Sequence, residues 1–315
     1  MPEIRVEEAW RDGLDVIAIT DHVEHQTRNG TVTKKDQNRA YAMAKPFAEK
    51  RHLLIIRGCE ITRNEPFGHA NAIGLNDVNP VNQNDDLDAV RNAFDQGAFI
   101  QWNHPDALWS DVQQKMLDNG WLKGIEVFNG ATFYPHAMQW CLDHNLTMMA
   151  NSDVHDLITD RFAFQNGALR TMTFVFAESR TEQGVLDALR AGRTVCFANN
   201  TLAGRAEYLE PLFHAALEPV QHEIALDKRD HVYLDLRNTS SIPFTLETNG
   251  DVPGIHLRKT TTIPAGKTVA LSLDWTKDAD AKTEKDIALP FKVLNLLLAP
   301  DQPLETTLPL KVIFP

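Results

Sequence analysis

Six side chains with metal-binding chemistry are spread through the first half of the sequence: His22, Glu60, His69, His104, Asp153 and His155, with Asp21 beside His22. Imidazole nitrogen and carboxylate oxygen are the donors that suit Zn, Mn or Fe. Asp153 and His155 are two apart at the end of the apolar stretch that starts at Leu146. In extended backbone such a pair points to one side, so a carboxylate and an imidazole face one cation. Glu60 is the natural candidate to bridge two ions. A pair or trio of divalent ions serves phosphoryl transfer: it generates hydroxide near neutral pH, holds the phosphate and spreads developing charge. The same donors also serve amide or ester hydrolysis. Taken one at a time, each residue reads as an ordinary core or surface side chain; their repeated place after apolar strands makes them a set.

Short apolar runs deliver these residues. Val16-Ile-Ala-Ile19 leads into Asp21-His22, and Leu53-Leu-Ile-Ile56 precedes Gly58-Cys-Glu60. A short strand at 67–74 opens with His69, 98–102 exits into Asn103-His-Pro105, and 125–128 leads to Asn129-Gly130. Further strands are expected at 172–176 and 194–197, and helices at 2–13, 34–50, 87–96, 111–119, 134–144 and 181–191. This alternation calls for an α/β fold with a mostly parallel sheet. Ligands gathered from many strand ends favour a barrel over an open doubly wound sheet.

The character changes near residue 206. One helix at 206–217 is followed by short alternating segments around Val232–Leu236, Ile263–Leu273, Leu294–Leu298 and Leu308–Val312, separated by Thr, Pro and Gly. That is the pattern of a small, Ig-like antiparallel β-sandwich. The expected organisation is therefore a barrel over 1–205 and an accessory sandwich over 206–315.

The ordered set of Ile19-Thr-Asp-His22, Gly58-Cys-Glu60, His69 before an apolar run, Asn103-His-Pro105 and Ser152-Asp-Val-His155 resembles the PHP family, the polymerase and histidinol phosphatase superfamily. The resemblance covers about residues 1–200. It implies a distorted seven-stranded β/α (TIM-like) barrel with two or three divalent ions and phosphoesterase activity. By position, His22 and His155 resemble ligands of one shared ion, Glu60 the bridging carboxylate, and His69 and His104 its partners on a second ion. Asp153 resembles a ligand of a further ion, and Asp21 a residue that orients its neighbours. The family also opens with a strand carrying two histidines one residue apart, followed by a loop ligand. Neither is in this sequence, so the expected barrel lacks its first strand.

Composition narrows the partners. Over 315 residues the formal net charge is −12, with 43% hydrophobic and 23% charged residues. That balance argues against general nucleic-acid binding and against an anionic membrane surface. A small phosphorylated substrate remains compatible, because bound ions reverse the local potential. No apolar run reaches the ~18 residues of a membrane span. Without an export signal the chain reads as cytoplasmic, and as periplasmic or secreted if such a signal precedes it. Nothing in the residues fixes an oligomeric state. Cys59, Cys141 and Cys196 sit in apolar stretches and read as buried thiols. Glu126 and Asn129 read as structural capping or pairing residues, Arg170 as a surface or ion-pair residue, His25 as part of a solvent-facing loop, and Trp102, Trp109, Trp121 and Trp140 as core. The functional expectation is a metal-dependent phosphoesterase acting on a monoester or diester. A non-catalytic or truncated metal-binding module and an amide or ester hydrolase are the alternatives.

Overall fold

The computed structural model describes residues 2–24, 36–228, 231–276 and 283–315. His25 and most of the loop around it lie outside the described residues, as do Lys34 and Lys35. The chain divides into two compact units, Met1–Asn199 and Asn200–Pro315.

The first unit runs α1 (Pro2–Arg11), β1 (Val16–Ile19), α2 (Arg39–Arg51), β2 (Leu54–Thr62), β3 (His69–Ile73), α3 (Asp86–Phe94), β4 (Phe99–Asn103), α4 (Asp111–Asp118), β5 (Leu122–Asn129), β6 (Thr132–Phe133), α5 (Pro135–Asp143), β7 (Thr147–Asn151), α6 (Ile158–Arg161), β8 (Met172–Val175), α7 (Glu182–Arg190) and β9 (Thr194–Ala198). Local chemistry sets several helix starts. Ser110 and Gln113 form a capping box on α4, and the Asp85 side chain accepts from the Asp88 N–H at the start of α3. α2 continues through Pro46.

Seven strands make one sheet in the order β1-β2-β3-β4-β5-β6, with β7 paired to β5. The expected sheet was mostly parallel; the observed one is mixed. β1–β2, β4–β5 and β5–β7 are parallel, whereas β3 runs antiparallel to both β2 and β4. The short connection from Thr62 to His69 can join only antiparallel neighbours. Among the described residues the sheet is an open half-barrel, not a closed seven-stranded barrel. β8 and β9 pair antiparallel. They are tied to β7 by side chains: Thr173 Oγ1 accepts from the Ala150 N–H, and Thr194 Oγ1 donates to the Met148 carbonyl.

The two faces of this sheet have different fates. Ile17, Ile19 and Ile55 pack with Val6, Ala9, Ala44 and Ala48 of α1 and α2. Val16, Ala18, Leu54, Ile56, Ile73, Phe99 and Met149 point the other way, onto Val185, Leu186 and Leu189 of α7. Following that second face along each strand, the apolar floor gives way to Glu60 and Thr62 on β2, Asn71 and His69 on β3, Gln101 and Asn103 on β4, and Asn151 on β7. Strict alternation along the strands demands this. Because β3 is antiparallel, its first residue, His69, lies at the same end as the last residues of β2 and β4, paired in register with Thr62 and Asn103.

The second unit is all-β apart from α8 (Ala206–Ala216). One sheet has the order β11 (Leu217–Pro219), β13 (Val232–Asn238), β17 (Thr268–Trp275), β15 (Ile255–Leu257). The other is built on the long antiparallel pair β18 (Glu284–Ala299) and β19 (Gln302–Ile313), flanked by β10 (Thr201–Gly204), β12 (Glu223–Ala225), β14 (Phe244–Thr248) and β16 (Thr260–Ile263). Alternate residues Leu234 and Leu236, Leu271 and Leu273, and Leu308, Leu310 and Val312 are buried, as the period-two pattern requires.

Candidate metal centre

The polar end of the inner face brings the candidates together. Beyond Ile19 the chain stays beside β2: the Glu60 N–H donates to the Asp21 carbonyl at 3.1 Å, and the Val23 N–H to the Glu60 carbonyl at 3.0 Å. These bonds place His22 next to Glu60, with Nδ1 3.4 Å from Oε1. Asp21 thus meets Glu60 through its backbone carbonyl, and burial raises its own carboxyl above the ordinary value. On the far side of Glu60, His69 Nδ1 lies 2.6 Å from Oε1. The donor atoms of Glu60, His69 and His104 all fall within 4.8 Å of one another. The His69 and His104 rings meet edge to face at 4.6 Å.

Thr62 sets the proton positions. Its hydroxyl lies 3.1 Å from Glu60 Oε1 and 2.5 Å from His22 Nδ1. A carboxylate only accepts, so the hydroxyl proton goes to Glu60, and Thr62 accepts from His22 Nδ1–H. His22 Nε2 is then the basic nitrogen of the neutral ring. His155 is fixed in the same way, because its Nδ1 lies 3.0 Å from the Asp153 carbonyl, which can only accept. Its basic nitrogen is also Nε2. The two basic nitrogens face each other at 3.2 Å. Two ligands at Zn–N distances of ~2.0–2.1 Å around a tetrahedral ion stand ~3.3 Å apart.

His104 and Asp153 leave their strands in the left-handed region, with φ of +26° and +45°. Asn103 already points to the inner face, so alternation would send His104 to the outer one; the turned backbone breaks that alternation. Both turns are tied to Glu126, which is 1% exposed. Its Oε2 accepts from the His104 N–H at 2.6 Å and from Asn129 Nδ2 at 3.0 Å, and its Oε1 accepts from Asn151 Nδ2 at 2.8 Å. Asn129 Nδ2 also reaches Asp153 Oδ2 at 3.2 Å. Glu126 and Asn129, read from the sequence as structural, thus touch the walls of the site. Arg170 is buried, donates to Asp12 Oδ2 at 3.0 Å and to Ser152 Oγ at 3.3 Å, and so braces the Asp153 loop from α1. The same helix holds that loop through Glu8, which accepts from the Ile158 N–H at 2.9 Å, and through Arg5, which donates to the Asp156 carbonyl.

Charge is distributed accordingly. Burial opposes ionisation of Glu60, but the contact with His69 and the fields of His22, His69 and His104 outweigh it and hold the carboxyl below its ordinary value. The Glu60 contact raises the His69 imidazole against the effect of burial. Burial, only partly offset by Asn129, Asn151 and the His104 N–H, pushes Glu126 up to about 8.

A solved two-domain protein from Bacteroides vulgatus, which contains a predicted PHP-like metal-dependent phosphoesterase, is 36% identical and superposes with a TM-score of 0.91. The match covers 98% of this chain and 90% of that one. This chain belongs to the PHP-like family. A family model described as an Ig-like domain matches residues 216–309. A candidate metal-dependent phosphoesterase from Bifidobacterium adolescentis shares 15% identity over 50% of this chain and 83% of its own, with a TM-score of 0.39. A Chromobacterium violaceum amidohydrolase with bound sulfate and no metal shares 15% over 51% and 84%, also with a TM-score of 0.39. No curated protein matches the chain.

The PHP-like residues present fit divalent ions. His69 Nδ1 is buried without an aligned hydrogen-bond partner although it stands beside a carboxylate oxygen, which is the geometry of two ligands turned toward a common point. The donor set is nitrogen and oxygen, with the His22 and His155 tautomers fixed by second partners. All six expected ligands lie at one end of the half-barrel, although His155 is largely exposed. Sequence reasoning missed Thr62 and Asn151, and undervalued Glu126. The position of Thr62, two residues after Glu60 on a strand, was the available signal. Trp102 is buried and stacks on Trp140 at 5.5 Å, but Trp109, Trp121 and Trp140, expected in the core, are only half-buried. The three cysteines are buried and free. Among the described residues no helix is long and apolar enough to cross a membrane.

Proposed function

We propose that the first unit hydrolyses a phosphomonoester or phosphodiester, using two or three divalent ions of the Zn, Mn or Fe class. The observation that carries this reading is the convergence of the Glu60, His69 and His104 donor atoms within 4.8 Å, with His22 Nε2 and His155 Nε2 3.2 Å apart nearby. His22 and His155 would hold one ion, Glu60, His69 and His104 would hold a second, and Asp153 would serve a third or shared position. When bound, the ions activate water and neutralise charge on the phosphoryl oxygens. The chain's own part is to keep Glu60 ionised, to fix both imidazole tautomers through Thr62 and the Asp153 carbonyl, and to hold the substrate end polar above the apolar floor made by α7. Nearby guanidiniums are already engaged: Arg63 pairs with Glu24 and Asp86, and Arg170 with Asp12. These arginines are thus committed to carboxylates, and phosphate charge would fall to the bound ions. The sandwich unit acts as an accessory, since among the described residues the one cluster suited to a metal is Glu60, His69 and His104.

Elemental mass spectrometry of protein purified without chelator, with phosphomonoester, phosphodiester and acyl-ester assays side by side, tests this. Two or more ions per chain and turnover of a phosphoester are expected, both lost in Glu60→Ala and His104→Ala. Undiminished turnover in either variant would refute the roles. Turnover of the acyl ester alone would assign the centre to carbonyl chemistry, and tight metal without turnover would make it a binding module.

A further inference from the structure

The PHP-like ligands account for one end of the half-barrel, yet its most deeply buried acid, Glu126, is not among them. We propose that Glu126 is a positioning residue that holds the backbone turns at His104 and Asp153, so that both side chains meet the remaining ligands. The inference rests on the metal-centre reading above.

The geometry is specific. His104 and Asp153 are the two ligand candidates with left-handed backbone, at φ +26° and +45°. Such turns in non-glycine residues persist only where the surroundings over-determine them. Glu126 reaches both. Oε2 takes the His104 N–H directly at 2.6 Å, and Asn129 Nδ2 divides itself between Glu126 Oε2 at 3.0 Å and Asp153 Oδ2 at 3.2 Å. Oε1 takes Asn151 Nδ2 at 2.8 Å, which holds the end of β7 just before Asp153. The register of β5 against β7 slips between Glu126 and Phe128, an irregularity of the kind that re-aims a side chain near a site. Burying a carboxyl group is costly unless its oxygens are satisfied. Here all three donors belong to segments that carry or adjoin ligands. A residue kept only for core packing would be apolar or would spend its hydrogen bonds elsewhere.

The test uses the full chain with Mn2+ as the probe. Glu126→Gln keeps the volume but offers one acceptor oxygen to three donors and sets an NH2 against at least one of them. Mn2+ affinity measured by calorimetry should fall by about 10- to 100-fold, the usual effect of losing a partner behind a metal ligand. In 15N-labelled, metal-free protein the His104 amide proton should be strongly downfield, as a 2.6 Å bond to a carboxyl oxygen requires, and should move upfield in Glu126→Gln. A purely structural role would lower the unfolding midpoint but leave the Mn2+ affinity of the folded protein unchanged; that result overturns the proposal. If Glu126→Gln does not fold, Asn129→Ala, which leaves the His104 and Asn151 bonds intact, tests the Asp153 arm: affinity within about twofold of wild type overturns it. If wild-type protein binds no Mn2+, the metal-centre reading itself fails and this proposal with it, an outcome distinct from wild-type binding with unaffected variants.

Discussion

Thr62→Val isolates one proton. Valine keeps the branched shape and the strand preference of threonine, but it can neither donate to Glu60 Oε1 nor accept from His22 Nδ1, now 3.1 Å and 2.5 Å from the hydroxyl. For the metal-free fold, losing a partly buried bonded hydroxyl costs about 0.5–1.5 kcal/mol, a shift of about 1–6 °C in a unit of this size. For the metal, the effect is larger. His22 loses the acceptor that selects its tautomer, and its ring must tilt away from a methyl group. Losing such a partner typically lowers metal affinity by about 10- to 100-fold, or about 1.4–2.7 kcal/mol. Titration of metal-free wild type, Thr62→Val and Thr62→Ser with Zn2+ in a competition assay reads this directly. Thr62→Ser should return to near wild-type affinity, because serine restores the hydroxyl. Wild-type affinity in Thr62→Val, or an equal loss in both variants, would refute the tautomer argument, since then shape and not the hydroxyl would matter.

Other consequences are accessible to simple measurements. Arg170→Leu leaves Asp12 unpaired in a half-buried setting and should destabilise the first unit by about 3–5 kcal/mol, while adding Asp12→Leu should recover much of the loss; denaturant melts of the single and double variants decide. A methyl at Gly124 would stand 2.8 Å from the Phe99 ring and 2.9 Å from the Thr147 carbonyl, so Gly124→Ala should cost about 1–3 kcal/mol, and an unchanged midpoint would contradict the packing of β5 on β7. Metal added at about 100 times its dissociation constant should stabilise the first unit by about 2.7 kcal/mol, seen as a midpoint that falls on chelation, and an insensitive midpoint would argue against a site preformed in the native state. In the sandwich, the His231 hydrogen bond, aided by Ser272 and the fields of His231 and His256, holds Asp274 below its ordinary value despite some burial. A lowered carboxyl stabilises the fold above its unfolded value, about 3.9, and stops doing so as pH falls through the folded value. The midpoint difference between wild type and Asp274→Asn should therefore be small but present near pH 6 and vanish in acid; a gap that widens on acidification would reverse the assignment.

The order of elements was legible because it depends on local chemistry. Val16-Ile-Ala-Ile19 reads as a strand from four apolar residues. The structure sorts those four alternately onto α7 and onto α1 with α2, since period two is built into extended backbone. The candidate ligands could be singled out for a similar reason: a His or an acid directly after an apolar strand stands out when this recurs in order. The direction of β3 and the opening of the sheet were not legible. Apolar runs specify strands without specifying their partners, and the mixed sheet follows from a short connection whose geometry only pairing reveals. Glu126 was the sharpest loss. In the sequence it is one acid within a strand, four residues from the nearest glycine-marked turn. Three-dimensional closure alone brings the His104 amide and Asn151 onto its two oxygens from neighbouring strands, beside Asn129 of its own strand. Composition and spacing determined which groups could bind a cation. Which nitrogen of His22 is basic, and what holds the turn at His104, was decided by hydrogen bonds between residues 40 and 22 positions apart, because proton placement depends on neighbours that only the folded chain supplies.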